Sequence, residues 1–120
     1  MLFDTTQLAL QGVISGAAKR HEALAANLAN ANTPGYQRVD VDFHSTLAAA
    51  MSRGPAALEG VSFTPQRDAS VGALQADGST VDPEAEAAKL AENALEQQAA
   101  VQVAQARIHI LESAMGVGGR

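Results

Sequence analysis

The last third of the chain carries a long apolar repeat whose positions are spaced alternately by four and by three residues. This spacing predicts an α-helix with one continuous apolar stripe, as in a coiled coil. Asp82 is the expected N-cap, Pro83 the first helical residue and Gly116 the C-terminal cap. The predicted helix has about 33 residues and is ~50 Å long. Its stripe comprises Ala87, Leu90, Ala94, Gln97, Val101, Ala104, Ile108, Leu111 and Met115.

The beginning of the chain repeats this pattern and predicts a second long helix, from about Thr5 to Asn32. Asp4 or Thr5 can cap its start. Pro34 marks its end, because proline has no amide hydrogen and disfavours the helical conformation of the preceding Thr33. The stripe comprises Phe3, Leu10, Ile14, Ala17, Leu24, Leu28 and Ala31, with Gln7 and His21 in two of its positions.

The residues between the two helices lack a long periodic pattern. Val39, Val41 and Phe43 alternate with polar residues, which predicts a strand or an extended segment. One helical turn is expected over Leu47 to Met51 and one short strand over Gly60 to Gln66. The rest of residues 54–79 is rich in glycine, proline and small polar residues and is predicted to be a loop.

These patterns predict an all-α fold: two long terminal heptad helices form an antiparallel coiled-coil hairpin around a short irregular or partly β middle segment. The predicted segments are an N-terminal helix in residues 1–33, a turn, extended stretch and flexible middle in 34–81, and a C-terminal helix in 82–120. Alanine dominates the apolar residues and only 3% of residues are aromatic, so the core is weak. Further apolar residues widen the stripes beyond what one partner covers, and these are Leu8, Val13, Leu95 and Val103.

Charge and composition exclude several functional classes. The net charge of −5, with scattered basic residues, disfavours nucleic acid as a partner, because binding it requires basic patches. The chain has no cysteine, so disulfides and thiolate metal sites are excluded. No apolar run has the length of a membrane span. The first residues lack the basic and apolar regions of a Sec signal peptide.

Candidate catalytic and metal sites are weak in this sequence. Gly12 and Gly16 flank a serine-containing stretch that is out of register with a nucleophile elbow, and two glycines four apart instead favour close helix packing. Asp40, Asp42 and His44 fall on one face of an extended segment and offer possible cation ligands, but three groups are few and a solvated face is the favoured interpretation. We therefore expect no catalytic residues, no metal and no cofactor.

Three asparagines precede a predicted type II turn at Pro34-Gly35, after which Tyr36 is expected to pack back against the helix end. Asn30 and Asn32 are suited to capping. Asn27 lies more than a turn inside the helix, where its propensity is poor. Its side-chain amide is expected to bond either the backbone of the returning segment or a neighbouring subunit, and the pattern leaves these alternatives open.

The stretch Ala26-Asn-Leu-Ala-Asn-Ala-Asn-Thr-Pro-Gly-Tyr36 resembles the N-terminal signature of bacterial flagellar rod, hook and hook-associated axial proteins. Within that group, its last four residues and Val39-Asp-Val-Asp-Phe43 resemble proximal rod proteins of the FlgB type. The family commonly has an aromatic residue near Gln97, from which this chain departs, and residues 54–75 match no family segment. Similarity to the C-terminal part of the family extends over Asp77-Gly-Ser-Thr-Val-Asp82, Lys89-Leu-Ala-Glu-Asn93 and Ala99-Ala-Val-Gln102.

The resemblance implies a structural rod subunit whose terminal helices form the inner coiled-coil layer of a helical rod in the periplasm. The implied partners are copies of the chain, other rod proteins, a basal adaptor, the membrane ring and the export gate, and export would use the flagellar type III apparatus without a Sec signal peptide. The residues expected to carry subunit packing are Leu10, Ile14, Leu24, Leu28, Leu90, Val101, Ile108 and Leu111. The residues expected to form a rigid corner are Asn27, Asn30, Asn32, Thr33, Pro34, Gly35, Tyr36 and Phe43.

A rival interpretation is a soluble coiled-coil adaptor or export chaperone that binds one partner helix in a groove. Such a protein would be a discrete oligomer with stable helix at low concentration. The rod interpretation predicts terminal helices that fray in the free chain and become ordered on assembly.

Overall fold

Both long helices begin after an aspartate whose side chain accepts a hydrogen bond from a backbone amide of the first turn. The computed structural model describes residues 4–70, 72 and 78–116. Helix α1 (Thr5–Ala29) is capped by Asp4, which accepts from the amide of Gln7 at 2.8 Å. The last helix, α4 (Pro83–Ala114), is capped by Asp82, and Gly116 follows it in a left-handed conformation with φ +78°. The predicted caps and the predicted fold class are confirmed.

The middle of the chain is more ordered than the sequence predicts. It contains β1 (Val39–Asp40), α2 (Phe43–Arg53), α3 (Pro55–Glu59) and β2 (Gln66–Arg67). The two strands are antiparallel, with Val39 opposite Arg67. The predicted strand over residues 60–66 is therefore wrong except at its last residue, and the predicted loop contains a short helix.

Phe43 begins a helix, whereas the sequence predicts that it continues an extended segment. Asp42 causes the difference, because its carboxylate accepts hydrogen bonds from the backbone amide of Ser45 at 3.2 Å and from its hydroxyl at 2.8 Å. The predicted turn at 47–51 becomes part of this 11-residue helix. At the other boundary, α1 ends at Ala29, three residues before the predicted end.

Helix α1 lies between α4 on one side and α2 and α3 on the other. On the α2 side, Gly12 and Gly16 permit close approach: a Cβ on Gly16 would lie 2.6 Å from Cβ of Phe43, and one on Gly12 would lie 2.4 Å from Cδ2 of Leu47. The molecule measures 63 × 31 × 14 Å, so its thickness is close to the ~10–12 Å diameter of one helix with its side chains. The chain is thus a single layer of helices.

The hydrophobic core lies mainly between α1 and the middle segment, because the glycines bring α2 close to α1. It is centred on Phe43, which is fully buried and meets Phe63 edge to face with ring centroids 6.3 Å apart. Among the described residues, no helix is both long and apolar enough to cross a membrane. The other core residues are Leu8, Ala17, Ala23, Val41, Leu47, Ala50 and Leu58.

Candidate functional site

The corner after α1 is fixed by a chain of short-range hydrogen bonds. The side chain of Asn30, the C-cap, donates to the carbonyl of Ala26 at 2.8 Å and accepts from the hydroxyl of Thr33 at 3.1 Å. The amide of Tyr36 donates to the carbonyl of Thr33 at 3.2 Å, which closes the predicted turn. Gly35 occupies the left-handed region with φ +72°, and nothing lies within 4 Å of where its Cβ would be, so glycine is favoured here for conformation and not for lack of room.

Asn27 connects the corner to the segment that returns along α1. Its Nδ2 donates to the carbonyl of Val39 at 2.7 Å, and its Oδ1 accepts from the amide of Val39 at 2.9 Å. The hydroxyl of Tyr36 donates to the same Oδ1 at 3.4 Å, so the ring packs back on the helix as predicted. Asn27 is fully buried. Of the two alternatives left open for its amide, the structure shows the returning backbone.

The corner also contacts the segment that leads into α4. A Cβ on Gly78 would lie 3.7 Å from Cα of Gly35. The amide of Thr80 donates to the carbonyl of Tyr36 at 3.0 Å, and the amide of Arg38 donates to the hydroxyl of Thr80 at 2.8 Å. The start of the second long helix is therefore positioned by the end of the first.

Beneath the corner, two guanidinium groups and three carboxylates form a cluster. Arg38 is only 4% exposed and donates to Glu86 at 2.5 and 3.3 Å and to Asp68 at 2.5 Å. Asp40 accepts from Arg38 at 3.4 Å and from Arg20 at 2.8 Å. Since Glu86 is 1% exposed, its charge is stable only with this partner in place. The cluster joins α1, β1, the residue that follows β2 and the first turn of α4.

Charge pairing outweighs burial in this cluster. Burial, the largest single influence, favours the neutral form of Asp40, but the hydrogen bonds from Arg20 and the amide of Val41 and the charges of Arg20 and Arg38 together outweigh it, so the pKa of Asp40 lies below its usual value. Burial also disfavours the charged form of Arg38, yet the carboxylate of Glu86 raises the pKa of Arg38 above its usual value. Asp40 and Arg38 are therefore both charged at neutral pH.

Polar side chains on α4 fix its antiparallel register against α1. Nδ2 of Asn93 donates to the carbonyl of Ala17 at 2.8 Å, and Nε2 of Gln97 donates to the carbonyl of Ile14 at 3.1 Å. Arg107 bonds Gln7 at 3.2 Å and also pairs with Asp4 at 2.8 Å. Gln97, where the resembled family commonly has an aromatic residue, thus makes a polar contact in this position.

The predicted corner residues lie together, with two exceptions. Asn32 is exposed at the edge of the corner, and Phe43 lies in the core as the first residue of α2. Asp77, which opens one of the motifs, lies outside the described residues, as do Phe3 of the predicted stripe and residue 75 at the end of the unmatched segment.

The predicted packing residues are spread over three environments. Leu24 is fully buried inside the subunit, whereas Leu28 and Ile108 are 38% and 37% exposed. The half-buried ones are Leu10, Ile14, Leu90, Val101 and Leu111. The buried face of α4 includes Ala104 of the predicted stripe, but its other members, Glu86, Asn93 and Ala100, each precede a stripe residue by one position.

Sequence reasoning missed the charged cluster. In the sequence, Glu86 resembles an ordinary first-turn glutamate that complements the helix dipole, and Arg38 resembles a solvated surface charge. A usable signal existed, because Glu86, Asn93 and Ala100 recur every seven residues. A glutamate and an asparagine in register with a small residue indicate a buried polar face.

The cation ligands considered above separate in the structure. Asp40 pairs with Arg20, Asp42 caps α2, and His44 contacts Glu96 on α4. Within residues 4–70, 72 and 78–116, no group of three or more His, Asp or Glu side chains is placed to hold a metal ion.

Comparison with known proteins agrees with the corner motif. A family model described as "Flagella basal body rod protein" matches residues 14–37. The flagellar basal body rod protein FlgB of Salmonella typhimurium is 40% identical over an alignment 98 residues long. The match covers 68% of this chain and 71% of the relative. FlgB of Aeromonas hydrophila is 32% identical over 117 residues, which cover 88% of each chain. The chain therefore belongs to the FlgB family of flagellar basal body rod proteins.

Proposed function

We propose that this chain is a structural subunit of the proximal rod of the flagellar basal body, that it assembles helically through its terminal helices, and that flagellum-dependent motility requires it. Family membership supports the rod role. The observation that carries the assembly role is the single-layer fold, 14 Å thick and 63 Å long. Domains normally bury their apolar faces between two or more layers. A one-layer chain leaves broad faces that a neighbouring subunit can cover.

Large exposed apolar side chains on α4 support the same proposal. Leu95 and Ile110 are each 67% exposed, Met115 is 62% exposed and Val103 is 50% exposed. One exposed apolar residue is common on protein surfaces, but several on a single helix indicate an interaction surface. Burying them between subunits would add stability that the alanine-rich interior lacks.

The predicted packing residues divide between two roles in this proposal. Leu28 and Ile108 face neighbouring subunits, since both are exposed. Leu24 supports the subunit from inside. The half-buried members hold α1 against α4 and present their outer edges to neighbours, and these are Leu10, Ile14, Leu90, Val101 and Leu111.

The corner sets the direction in which the chain leaves the helical layer. Asn27 and the buried Arg38 hold the returning segment against α1, and Gly35 permits the turn. In an assembly, this fixes the position of the middle segment relative to the packed helices. The proposed roles of Asn30, Asn32, Thr33, Pro34 and Tyr36 are to maintain that geometry.

The wider setting follows from the family resemblance. The proposed partners are copies of this chain, other rod proteins, a basal adaptor, the membrane ring and the export gate. The proposed location is the part of the rod that lies in the periplasm, reached through the flagellar type III apparatus. The proposed role is structural and not enzymatic, and it involves no cofactor and no nucleic acid.

A deletion in the source bacterium tests the function. Loss of flagella on deletion, rescue by the wild-type chain, and recovery of the chain in purified basal bodies are the expected results. Pro34→Ala/Gly35→Val should not rescue, because a β-branched residue is strained at φ +72°. Gly35→Asn is the control expected to rescue, since asparagine tolerates this conformation.

A charge on the exposed apolar surface provides a second test. Ile108→Glu should block assembly while the chain is still synthesised. The subunit itself should tolerate the charge, because Ile108 is 37% exposed in it, whereas a neighbouring subunit would have to bury the charge. Normal flagella in the deletion strain would contradict the rod role and favour a soluble adaptor or export chaperone.

A further inference from the structure

Charge is unevenly distributed along the pair of long helices. Residues 5–18 of α1 and 97–106 of α4 contain no charged side chain. These segments are neighbours, because Gln97 bonds the backbone of Ile14 and Arg107 bonds Gln7. Besides the buried Glu86, residues 19–22 and 82–96 at the other end contain nine charged or titratable side chains. These are Lys19, Arg20, His21, Glu22, Asp82, Glu84, Lys89, Glu92 and Glu96. This uncharged stretch, which ends at the paired Asp4 and Arg107, can be covered by another chain without burying an unpaired charge.

An exposed ridge begins in the uncharged part of α4 and extends one turn beyond it. At 100° per residue, Ala99, Val103, Ala106 and Ile110 fall within a sector of about 60° on the helix surface. All four are exposed, with Val103 at 50% and Ile110 at 67%. The small alanines beside the two larger residues allow a partner to approach closely. We call these four residues the α4 ridge.

A groove lies on a different part of the subunit, between α1 and α3. It encloses about 440 Å³. Its floor is apolar, since Leu8 and Leu58 are 7% and 4% exposed. Gly12 contributes backbone to its lining, and the exposed Ser15 lies at its rim. We call this the α1 groove; its lining residues are Leu8, Gln11, Gly12, Ser15, Leu58 and Glu59.

We propose that the α4 ridge of one copy of this chain seats in the α1 groove of a second copy, with Val103 entering the groove beside Ser15. The inference rests on the proposed function and specifies the contact by which like subunits meet. In the single subunit the ridge is exposed, and so are the residues at the mouth of the groove, Gln11, Ser15 and Glu59.

The charge pattern selects a second copy as the occupant. A partner with charges on its contact surface would have to bury them against a ridge that offers no counter-charge, which is costly. The surface around the groove in this chain is formed by the uncharged stretch 5–18, and its one carboxylate, Glu59, is exposed at the rim. Interface centres are depleted in charge in this way.

The geometry of the contact also fits a rod. Ridge and groove are different surfaces of the same chain, so a copy that fills a neighbour's groove still has its own groove open. Such heterologous contacts extend without closing unless a rotation completes a ring, and they generate helical assemblies.

Cysteine crosslinking tests the pairing, and the natural chain has no cysteine to confuse the result. Ser15→Cys/Val103→Cys would be the sole copy in the source bacterium, and its basal bodies would be isolated and oxidised. A bond within one subunit is excluded, since Val103 lies six residues beyond Gln97, which faces Ile14. That is ~9 Å along α4, and a disulfide requires Cα atoms within about 7 Å.

The double variant should give a ladder of bands at multiples of 12.3 kDa, whereas each single variant should give none. Dimers from Val103→Cys alone would show that ridges pair with ridges, which overturns the proposal. Absence of a ladder from the double variant, or a band with a different protein, also overturns it.

Matched charge variants on α4 give an independent readout. Val103→Glu should abolish incorporation into basal bodies, whereas Gln105→Glu should retain it, because both residues are exposed but only Val103 lies on the ridge. Equal incorporation of the two overturns the pairing while leaving the rod function intact. Circular dichroism of the purified variants checks that both keep wild-type helix content. Flagella in the deletion strain would instead overturn the rod function.

Discussion

Asn27 binds both backbone polar groups of Val39, donating to its carbonyl at 2.7 Å and accepting from its amide at 2.9 Å. A neighbouring strand would offer the same pair of hydrogen bonds. The side chain of a helix thus closes the outer edge of β1. This explains an asparagine more than one turn inside α1, where helix propensity disfavours it.

Asn27→Asp should lower the free energy of unfolding by about 2–4 kcal/mol. Aspartate cannot donate to Val39, and its carboxylate would lie beside Oε2 of Glu86, now 3.3 Å from Nδ2. Urea denaturation followed by circular dichroism measures the change. Asn32→Asp is the control, because Asn32 is exposed and its replacement should shift stability by less than ~0.5 kcal/mol. Equal urea midpoints for the two variants would contradict the role of Asn27.

Removal of Arg38 should lower the free energy of unfolding, because it leaves the buried carboxylate of Glu86 unpaired. Arg38→Met is expected to destabilise the chain by about 3–5 kcal/mol, because Glu86 stays buried without its partner. Adding Glu86→Leu in the same chain should recover most of this loss. Arg67→Met, at an exposed position, is the control. If the double variant is no more stable than Arg38→Met alone, the ion pair is not the cause.

The two glycines that face α2 should respond differently to alanine. Gly16→Ala places a Cβ 2.6 Å from Cβ of Phe43, which is fixed to the backbone, and should cost about 1–3 kcal/mol. Gly12→Ala meets the end of the Leu47 side chain, which can rotate away, and alanine gains up to about 1 kcal/mol in helix propensity. Gly12→Ala should therefore be the more stable variant in urea, and the reverse order would contradict the packing described here.

Stability should fall in acid. The pKa of Asp68 is lowered by the hydroxyl of Ser70 and further by Arg38, and that of Asp40 is lowered chiefly by Arg20 against the effect of burial. A carboxyl with a lower pKa in the folded state binds protons more weakly than in the unfolded chain. Its stabilisation is present above the unfolded pKa of about 3.9 and is lost as pH falls through the folded pKa.

The free energy of unfolding should thus be steady between neutral pH and about pH 5 and decline below about pH 4. Asp40→Asn should reduce the slope of that decline. An unchanged slope in Asp40→Asn would show that Asp40 does not contribute to the acid dependence.

Local signals in the sequence predicted the parts of the fold that depend on neighbouring residues. Asp82 followed by Pro83 marks the start of α4, and Pro34 and Gly35 mark the turn after α1. The start of α2 was mispredicted because an alternating apolar pattern over 39–43 concealed Asp42 as a cap. Pro55 after Gly54 was an available helix-start signal for α3.

Local sequence patterns do not predict contacts between residues that are far apart in the chain. Arg38 and Glu86 are 48 positions apart, and either residue alone resembles an ordinary surface charge. The corner was anticipated because the asparagines violate helix propensity, which is itself a local signal. Burial on α1 extends beyond the predicted stripe to Leu8, Gly12 and Gly16, because the two glycines let α2 pack closely, which a heptad analysis of α1 alone does not predict.

The hydrogen bonds that fix α4 on α1 join residues 76 to 103 positions apart, whereas α1, α2 and α3 lie within the first 59 residues. Contacts over short separations form sooner than contacts that must close long loops. The part of the molecule around Phe43, formed by α1, α2 and α3, can therefore become ordered before α4 docks. The last helix docks only when nearly all of the chain is present, so completion of the subunit is a late and separate event.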